Sequence, residues 1–382
     1  MSDRPGIEIV RAAKTQKRQS PRKRWLLFLF IFLLIIILLI TYLLCFTTSM
    51  DGVKRFFRYF GKDASYGSIR LDRSELHSYT TIEDLLAVAG TNGITVFNED
   101  GSVRWCAEGS YSSPALKSKS EYLLAYDIGG TALTLFQSDG EVLFALKTKN
   151  PLYDAEVSEE GFVAVLCGGT IDRAAFEVYN PDGELLYRRD SKTKYLNACA
   201  ISPDGSFAAI SAFTDEDFSL KSSVQYLKTD REELRDEFST ENRLIYDLAF
   251  TDSETVCAVS SDALLFFGGE SQKECTGKLL NYSFDGDGYV TALFELTANR
   301  SRLVTLDADG NTIASTELSA LPLSVTSCGD YISVLTRQEL LIFDSGLTLR
   351  NQTTNNGYLC ALARSDGTAI CIASEEAALY IP

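Results

Sequence analysis

Apolar and polar residues alternate in short runs along most of the chain, and one pattern recurs at a spacing of roughly 40 residues. Each copy is a short apolar strand that ends in an aromatic residue or a leucine, followed by a tight acidic and glycine turn. The clearest copies are residues 96–101 (VFNEDG), 135–140 (LFQSDG), 178–183 (VYNPDG), 304–310 (VTLDADG) and 341–346 (LIFDSG). Repetition of all-strand units at this period predicts a β-propeller.

Each repeat predicts four strands, because its apolar runs are short and are separated by Gly, Asp, Asn and Pro. In the second repeat the strands are predicted at residues 111–117, 122–126, 132–136 and 142–147. The same pattern predicts the innermost strands near Leu76, Tyr111, Leu152, Tyr195, Leu244, Leu279, Leu321 and Tyr358. The fold class is therefore all-β, a propeller of eight blades, with seven blades as the alternative.

The last repeat supplies only three strands, at residues 358–363, 368–373 and 378–381. Residues 66–71 have strand character and no other evident partner. We therefore predict that this N-terminal strand completes the last blade and closes the ring, which removes exposed strand edges. A disordered stalk is the alternative for these residues.

A run of 22 residues without charge, residues 25–46, is built mainly from Leu, Ile and Phe. At 1.5 Å per residue a helix of this length can cross a hydrocarbon core of about 30 Å. No small-residue cleavage site follows the run, so it is predicted to be an uncleaved signal anchor that spans the lipid bilayer. Its N-terminal flank is the more basic one, which predicts a cytoplasmic N-terminus and a propeller outside the cytoplasm.

The predicted organisation has four parts. Residues 1–24 form a basic cytoplasmic tail, residues 25–46 the transmembrane anchor, residues 47–65 a juxtamembrane linker and residues 66–382 the extracytoplasmic propeller. The linker interleaves aromatic and basic residues, which suits a segment at the lipid headgroups. A solvated linker explains the same residues equally well.

The charge is distributed unevenly along the chain. The whole sequence carries −16, and residues 1–24 carry +6, so the part that follows the anchor carries −22. A domain this acidic lacks the basic patches that bind nucleic acid, so no nucleic-acid partner is predicted. Acidity of this kind usually serves solubility, and cationic partners are the alternative.

Residues suited to catalysis or metal binding are few. His77 is the single histidine, so histidine-rich metal sites and Ser-His-Asp triads with a choice of bases are not available. Cysteines fall mostly within apolar strands, where we expect free, buried side chains rather than disulfides. The acidic clusters around Asp215 and Asp285 lack the full ligand spacing of a calcium loop and are predicted to be solvated turns. No catalytic residue, metal site or cofactor is predicted.

The inner strands repeat a tyrosine together with Asp or Asn, and these side chains are the candidate binding residues of the channel. They are Tyr111, Tyr153, Asp154, Tyr195, Asn197, Tyr246, Asp247, Asn281 and Tyr282, from which we select Tyr111, Asp154, Tyr195, Asn197, Tyr246, Asp247 and Tyr282 as the site. They could stack on and hydrogen-bond to a sugar or peptide. Packing of the channel wall is the competing explanation, which recurrence at equivalent positions favours.

A basic tail, a single anchor, an aromatic and basic juxtamembrane stretch and a propeller with F/Y-x-x-D-G turns resemble domain of unknown function family 5711, a family of bacterial single-pass membrane proteins. The resemblance covers nearly the whole chain, but it rests on turn motifs. It implies topology and fold, and it implies no activity or site residue. Propellers of the WD40-like and PQQ-like classes fit less well. The Gly-His and Trp-Asp pairs of WD40 repeats are missing, as are the adjacent cysteines and the tryptophan motif of quinone-dependent dehydrogenases.

Two hypotheses for function follow. The first is a membrane-tethered binding or scaffolding module for an envelope protein, peptide or glycan. The second is a hydrolase or lyase with a carboxylate or metal site in the central channel. Because propellers host both classes, fold cannot decide between them. The scarcity of histidine and of carboxylate constellations favours the binding module.

Overall fold

Antiparallel strands form eight sheets of four strands each, which are the eight blades of a propeller. The computed structural model describes residues 25–26, 28–38, 50–62, 66–72, 78–216, 219–231, 234–268 and 271–382. Blades 1 to 7 each use four consecutive strands, and the eighth combines the last three strands with the first one. The prediction of an eight-bladed all-β propeller is confirmed, and the seven-blade alternative is wrong.

The strands of blades 1 to 4 are, in chain order, β2 (Ser78–Ile82), β3 (Leu85–Gly90), β4 (Gly93–Phe97), β5 (Val103–Glu108), β6 (Pro114–Lys119), β7 (Tyr122–Asp127), β8 (Ala132–Gln137), β9 (Val142–Lys147), β10 (Leu152–Val157), β11 (Val163–Gly168), β12 (Ala174–Tyr179), β13 (Leu185–Ser191), β14 (Tyr195–Ile201), β15 (Phe207–Glu216), β16 (Ser219–Lys228) and β17 (Leu234–Glu241).

The strands of blades 5 to 8 are β18 (Asp247–Phe250), β19 (Val256–Val259), β20 (Ala263–Gly268), β21 (Ser271–Thr276), β22 (Leu279–Ser283), β23 (Tyr289–Thr297), β24 (Arg300–Asp307), β25 (Thr312–Leu318), β26 (Ser324–Cys328), β27 (Tyr331–Leu335), β28 (Glu339–Asp344), β29 (Leu349–Thr354), β30 (Cys360–Ala363), β31 (Ala369–Ile372) and β32 (Glu376–Tyr380), with β1 (Ile69–Arg70) added to the eighth blade.

Ring closure uses the predicted N-terminal strand. Within residues 66–71, β1 pairs antiparallel with β32, so that Ile69 lies opposite Ala377 and Arg70 opposite Glu376. The predicted closure is confirmed, although the paired segment is only two residues long. Several inner strands begin later than predicted, for example β6 at Pro114 rather than Tyr111, because the residues before them form the connections between blades.

The apolar residues lie between the blades. Eight buried clusters follow one another around the ring, and each joins the facing sides of two adjacent blades. The cluster at the closure joins Ile69 and Ile370 of blade 8 to Leu86 of blade 1. Because every blade is buried on two sides, its middle strands are apolar at nearly every position, as in β11.

The repeated acidic and glycine turn joins adjacent blades. Gly140 has a φ of +96°, and a Cβ placed there would lie 2.8 Å from Cγ of Trp105 in the preceding blade. The indole Nε1 of Trp105 donates a hydrogen bond to the carbonyl oxygen of Ser138 in the same turn, at 3.0 Å. Glycine recurs here because both the left-handed backbone and the close approach require it. The motif is therefore structural.

Strand direction gives the propeller two faces. The turns between the first and second strands of a blade, and between the third and fourth, lie on one face, which we call the acidic face. The loops between the second and third strands, and the connections from one blade to the next, lie on the opposite face, which we call the apolar face.

Residues 1–58 and residues 59–382 form two separate units. In the first unit, residues 28–38 are helical. The helix Met50–Tyr59 ends at the first residue of the second unit, with Arg58 in its last turn, where a cation complements the helix dipole. Its residues Phe56 and Phe57 are exposed.

Within the described residues, no helix is both long and apolar enough to cross a membrane. The predicted anchor at residues 25–46 falls only partly within those residues and stays a prediction. The basic tail at residues 1–24, Cys45, His77 and Asp217 lie outside the described residues. The eight cysteines that are described are all free, and Cys167, Cys199, Cys257 and Cys371 are buried.

A buried arginine joins the two ends of the ring. Arg364, in the turn between β30 and β31, is fully buried. Its Nε donates to the carbonyl oxygen of Asp84 in blade 1 at 2.8 Å, and its guanidinium also pairs with Glu99 of that blade. The hydroxyl of Tyr59 accepts from Arg364 at 2.8 Å and donates to Asp366 at 3.1 Å. Blade 8, blade 1 and the residue at which the chain enters the propeller thus share one polar network, the closure network.

We predict that Arg364→Met lowers the free energy of unfolding by about 3 kcal/mol, because it removes the buried donor to the carbonyl oxygen of Asp84 and to the hydroxyls of Tyr59 and Thr368. Tyr59→Phe should cost about 1–3 kcal/mol through the lost hydrogen bonds. Arg300→Met, which breaks an exposed ion pair with Glu317, is the control and should cost less than about 1 kcal/mol. Urea denaturation measures all three. Equal midpoints for Tyr59→Phe and the wild type would contradict a structural role for the closure network.

Candidate functional site

The inner strands line the central channel, and side chains of one blade bond to the inner strand of the next. Each inner strand is the edge of its sheet, so half of its backbone N–H and C=O groups have no partner within the sheet and need one elsewhere. The backbone N–H of Leu116 donates to Ser78 Oγ at 3.2 Å, that of Cys199 to Asp154 Oδ2 at 3.0 Å and that of Ala361 to Ser324 Oγ at 3.1 Å. The channel wall is therefore braced from blade to blade.

Two of the predicted site residues belong to this bracing. Asp154 accepts from the Tyr126 hydroxyl of blade 2 at 3.2 Å as well as from Cys199 of blade 4. Asn197 donates through Nδ2 to the carbonyl oxygen of Ile245 in blade 5 at 2.6 Å. Both side chains therefore bond within the wall, as the packing explanation predicts, and their role in ligand binding stays a prediction.

A cavity of about 1080 Å³ occupies the channel and opens among the turns of the acidic face. Seven carboxylates and two lysines line it: Glu83, Asp84, Glu156, Glu159, Asp247, Asp285, Asp287, Lys117 and Lys119. Tyr79, Phe250, Tyr282 and Phe284 add aromatic surface. Of the predicted site residues, Asp247 and Tyr282 line this cavity, together with Asn281.

Within the cavity, Lys117 lies near two lining carboxylates, Glu156 and Asp247, and near Asp154 in the wall. Lys117 forms an ion pair with Glu156, and Tyr282 donates to Asp247 at 2.7 Å. Burial opposes the charge of Lys117, but Glu156, Asp247 and Asp154 together hold its pKa well above its ordinary value. Burial raises the pKa of Glu156 to about 7 despite Lys117, and burial also raises the pKa of Asp247. One cation is insufficient to neutralise this cluster.

An ion pair spans the mouth of the cavity. Lys119 of blade 2 lies 3.0 Å from Asp285 of blade 6, which is the blade diametrically opposite in an eight-membered ring. The side chain of Lys119 is 36% exposed and that of Asp285 62% exposed. Asp285 raises the pKa of Lys119, which therefore stays charged. Because the pair is open to solvent, it contributes only about 0–1 kcal/mol and is readily replaced.

The remaining predicted tyrosines lie away from this cavity. Tyr195, Tyr246 and the neighbouring Tyr153 stand at the starts of inner strands or just before them, and each is exposed on the apolar face. Tyr195 stacks on Phe213 and carries Arg173 over its ring at 4.2 Å. Tyr111 is half-buried and packs against the cluster between blades 1 and 2. The predicted residues therefore form no single site: they divide between cavity, wall and opposite face.

The two faces differ sharply in charge. In the described turns of the acidic face there are 20 acidic residues and two arginines, Arg231 and the buried Arg364. In the described loops of the apolar face there are four acidic residues, Asp72, Asp172, Asp262 and Glu375, and seven basic ones, Lys149, Arg173, Lys192, Lys194, Arg243, Lys278 and Arg337. The acidic residues of the described turns and loops are thus concentrated on the face at which the cavity opens.

Of the charged residues of the cavity, sequence analysis selected Asp247 and missed the other eight. Lys117 and Lys119 alternate along β6, as Asp154 and Glu156 do along β10. Charged residues two positions apart on a strand lie on the same side of the sheet. This alternation on two inner strands could have predicted a charged channel. Asp285 and Asp287, taken for a solvated turn, are at the cavity mouth. Within the described part of the chain, no group of three or more His, Cys, Asp or Glu residues has the geometry of a metal site.

Comparisons with known proteins identify a family and a fold. The family described as "Family of unknown function (DUF5711)" matches residues 60–376. No curated protein sequence matches the chain. Among solved structures, BamB from Moraxella catarrhalis is similar, with 12% identity, coverage of 82% of this chain and 95% of the other, and a TM-score of 0.51.

Two further structures share the propeller architecture. Apo AztD from Citrobacter koseri has 10% identity, covers 73% of this chain and 86% of its own, and gives a TM-score of 0.50. The C-terminal WD40 domain of Sif2 is 13% identical in sequence. Its alignment covers 82% of this chain and 97% of the Sif2 domain, with a TM-score of 0.58. A WD40 propeller is therefore similar in fold even though the Gly-His and Trp-Asp pairs are missing here.

The raised pKa of Glu156 predicts a pH dependence of stability. Between its ordinary pKa near 4.5 and the folded value of about 7, the folded protein holds the proton more tightly than the unfolded chain, so stability falls as the pH rises. In Glu156→Gln the free energy of unfolding should decrease less over this pH range, by on the order of 1–3 kcal/mol. Exposed Glu254→Gln is the control. Melting temperatures measured from pH 5 to pH 8 test this, and identical slopes for Glu156→Gln and the wild type would refute it.

Proposed function

This chain belongs to DUF5711, a family of unknown function, and we propose that its propeller is a membrane-tethered, extracytoplasmic binding module for an envelope protein or peptide. In this proposal the central cavity accepts a positively charged group of the ligand, such as a lysine or arginine side chain.

The observation that carries the proposal is the charge of the cavity. Seven carboxylates face two lysines in a space of about 1080 Å³, which is large enough for a short peptide segment. Lys117 is engaged by Glu156 and Lys119 by Asp285. Glu159 and Asp287 are exposed at the mouth, and no ion pair joins either of them to a cation within the described residues. A cationic group would find carboxylates already in place.

The mouth ion pair gives the ligand a route of entry. Lys119 and Asp285 are both partly open to solvent, so a cation that displaces Lys119 exchanges one exposed pair for another at little cost. The wall behind the mouth is braced by the bonds between blades. A braced wall keeps the carboxylates in fixed positions, and a preorganised site loses less entropy on binding.

The tether and the location are part of the proposal. They rest on the uncharged run at residues 25–46 and on the basic residues that precede it. BamB and AztD are similar in fold at low identity, which is compatible with a binding module and leaves the ligand open. The alternative of a hydrolase or lyase in the channel predicts metal-dependent turnover.

We predict that full-length protein in neutral detergent binds a fluorescent hexalysine peptide more tightly than hexaglutamate. Glu159→Gln combined with Asp287→Asn should weaken binding by about tenfold or more, equivalent to about 1.4 kcal/mol. The control removes the same charge elsewhere on the acidic face, with Asp182→Asn and Glu184→Gln, and should change binding less than about twofold.

Equal losses in both double variants would mean diffuse attraction to the whole face and would contradict a cavity site. Tighter binding of a neutral oligosaccharide would favour a glycan ligand instead. Metal-dependent hydrolysis or elimination that is lost in Asp247→Asn would establish the enzyme and overturn the proposal.

The proposed topology has its own prediction. If the basic flank sets the orientation, protease added to spheroplasts should digest the propeller and leave a tag at residue 1 intact. Immunoblots for the tag and for a propeller epitope, with and without detergent, report the result. Protection of the propeller in intact spheroplasts would place it in the cytoplasm and overturn the location.

A further inference from the structure

We propose that the apolar face, opposite the cavity mouth, docks a partner protein through an apolar segment that carries acidic residues. Leu323 and Leu359 of this face also line the cavity, whereas Ile128 and Ile171 do not. The inference does not depend on the cationic ligand proposed above.

The first argument is exposed apolar surface on one face alone. Seven large hydrophobic side chains are exposed in the loops of this face: Ile128, Ile171, Leu244, Tyr246, Leu321, Leu323 and Leu359. Ile171 is 97% exposed and Leu359 61%. In the described turns of the acidic face, no large hydrophobic side chain is exposed. Large hydrophobic side chains are also exposed on the outer strands, such as Val142 and Leu185. Of the described turns and loops of the two faces, however, only those of this face expose them, and this contrast indicates an interaction surface.

The second argument is that these residues stand on ordered backbone around the channel opening. The loop that carries Ile128 is bound to the start of the next blade, where Gly129 N donates to Leu152 O and Leu152 N donates to Gly130 O, both at 2.7 Å. Tyr246 lies against Tyr282, with ring centroids 6.3 Å apart. Aromatic and aliphatic side chains held in place are the anchors that dominate binding energy at protein interfaces.

The third argument is charge complementarity. The loops of this face carry seven basic and four acidic residues in a domain that otherwise repels anions. Arg243 is paired with Asp262 and Glu274, and Lys278 with Glu295. Lys149, Lys192 and Arg337 form no ion pair within the described residues. A partner segment with carboxylates beside its apolar residues therefore meets its most favourable potential here.

Other occupants fit these observations less well. An anionic lipid surface is bound by clusters of four to eight lysines and arginines. The seven bases here are instead spread over several loops among four acidic residues, and Lys194, Arg243 and Lys278 are already ion-paired. A second copy could offer its acidic face, but that face has no exposed apolar side chains in its described turns to match these anchors.

The test selects binders from a random library of 15-residue peptides on full-length protein in neutral nanodiscs. Selected peptides should be enriched in apolar residues together with Asp and Glu. Ile128→Ser combined with Ile171→Ser should weaken their binding by about tenfold or more, and Arg173→Glu should weaken it further. The matched control is Val142→Ser with Leu185→Ser, both exposed on outer strands, and should leave binding within about twofold of the wild type.

The cavity variant Glu159→Gln with Asp287→Asn should leave these peptides bound, which separates this inference from the proposed function. Three results would overturn the proposed docking surface. They are a selection that recovers no peptide, a selection that recovers basic peptides, and peptides whose binding does not change in Ile128→Ser with Ile171→Ser. Binding of phosphatidylglycerol vesicles that is lost in the same double variant would assign the face to lipid. Self-association in sedimentation velocity that is lost in that variant would assign it to a second copy.

Discussion

The buried guanidinium of Arg364 holds the two ends of the propeller together, and the rest of the domain depends on that closure. A ring of eight blades has no free edge only if the last blade is completed, and β1 contributes just two residues to it. Such a short pairing is weak by itself. The closure network adds contacts to Asp84, Glu99 and Tyr59, and the apolar cluster around Ile69 and Ile370 seals the same junction.

A closed ring fixes the faces on which function is proposed. The strands of every blade follow the same order and direction. The turns between first and second and between third and fourth strands therefore lie on one face, and the remaining loops and connections lie on the opposite face. The sequence places acidic and glycine turns in the first set, and apolar and basic residues in the second. The outcome is a domain with an acidic cavity mouth on one side and exposed apolar anchors on the other, which suits a module that contacts two chemically different partners.

Much of the fold could be predicted from the sequence, and less of the site. The repeated turns predict the repeating blades, because glycine at positions such as Gly140 is required by the local backbone and by the adjacent blade. The missing fourth strand of the last repeat and the strand character of residues 66–71 predict the closure. Asp154 and Asn197 were identified correctly as inner-strand residues, but whether such a side chain faces the channel or bonds to the next blade depends on the register between blades. The pairing of Lys119 with Asp285 across the ring, and of Arg364 with Tyr59, joins residues far apart in sequence and leaves no local pattern.

Native-state hydrogen exchange of the full-length protein tests the closed ring most directly. If closure makes the last blade as stable as an internal one, amides of β31 should exchange as slowly as those of β11 in blade 3, since both strands are central in their sheets. Exchange of β31 that is much faster than that of β11, at the rate of a fraying terminal strand, would contradict the account.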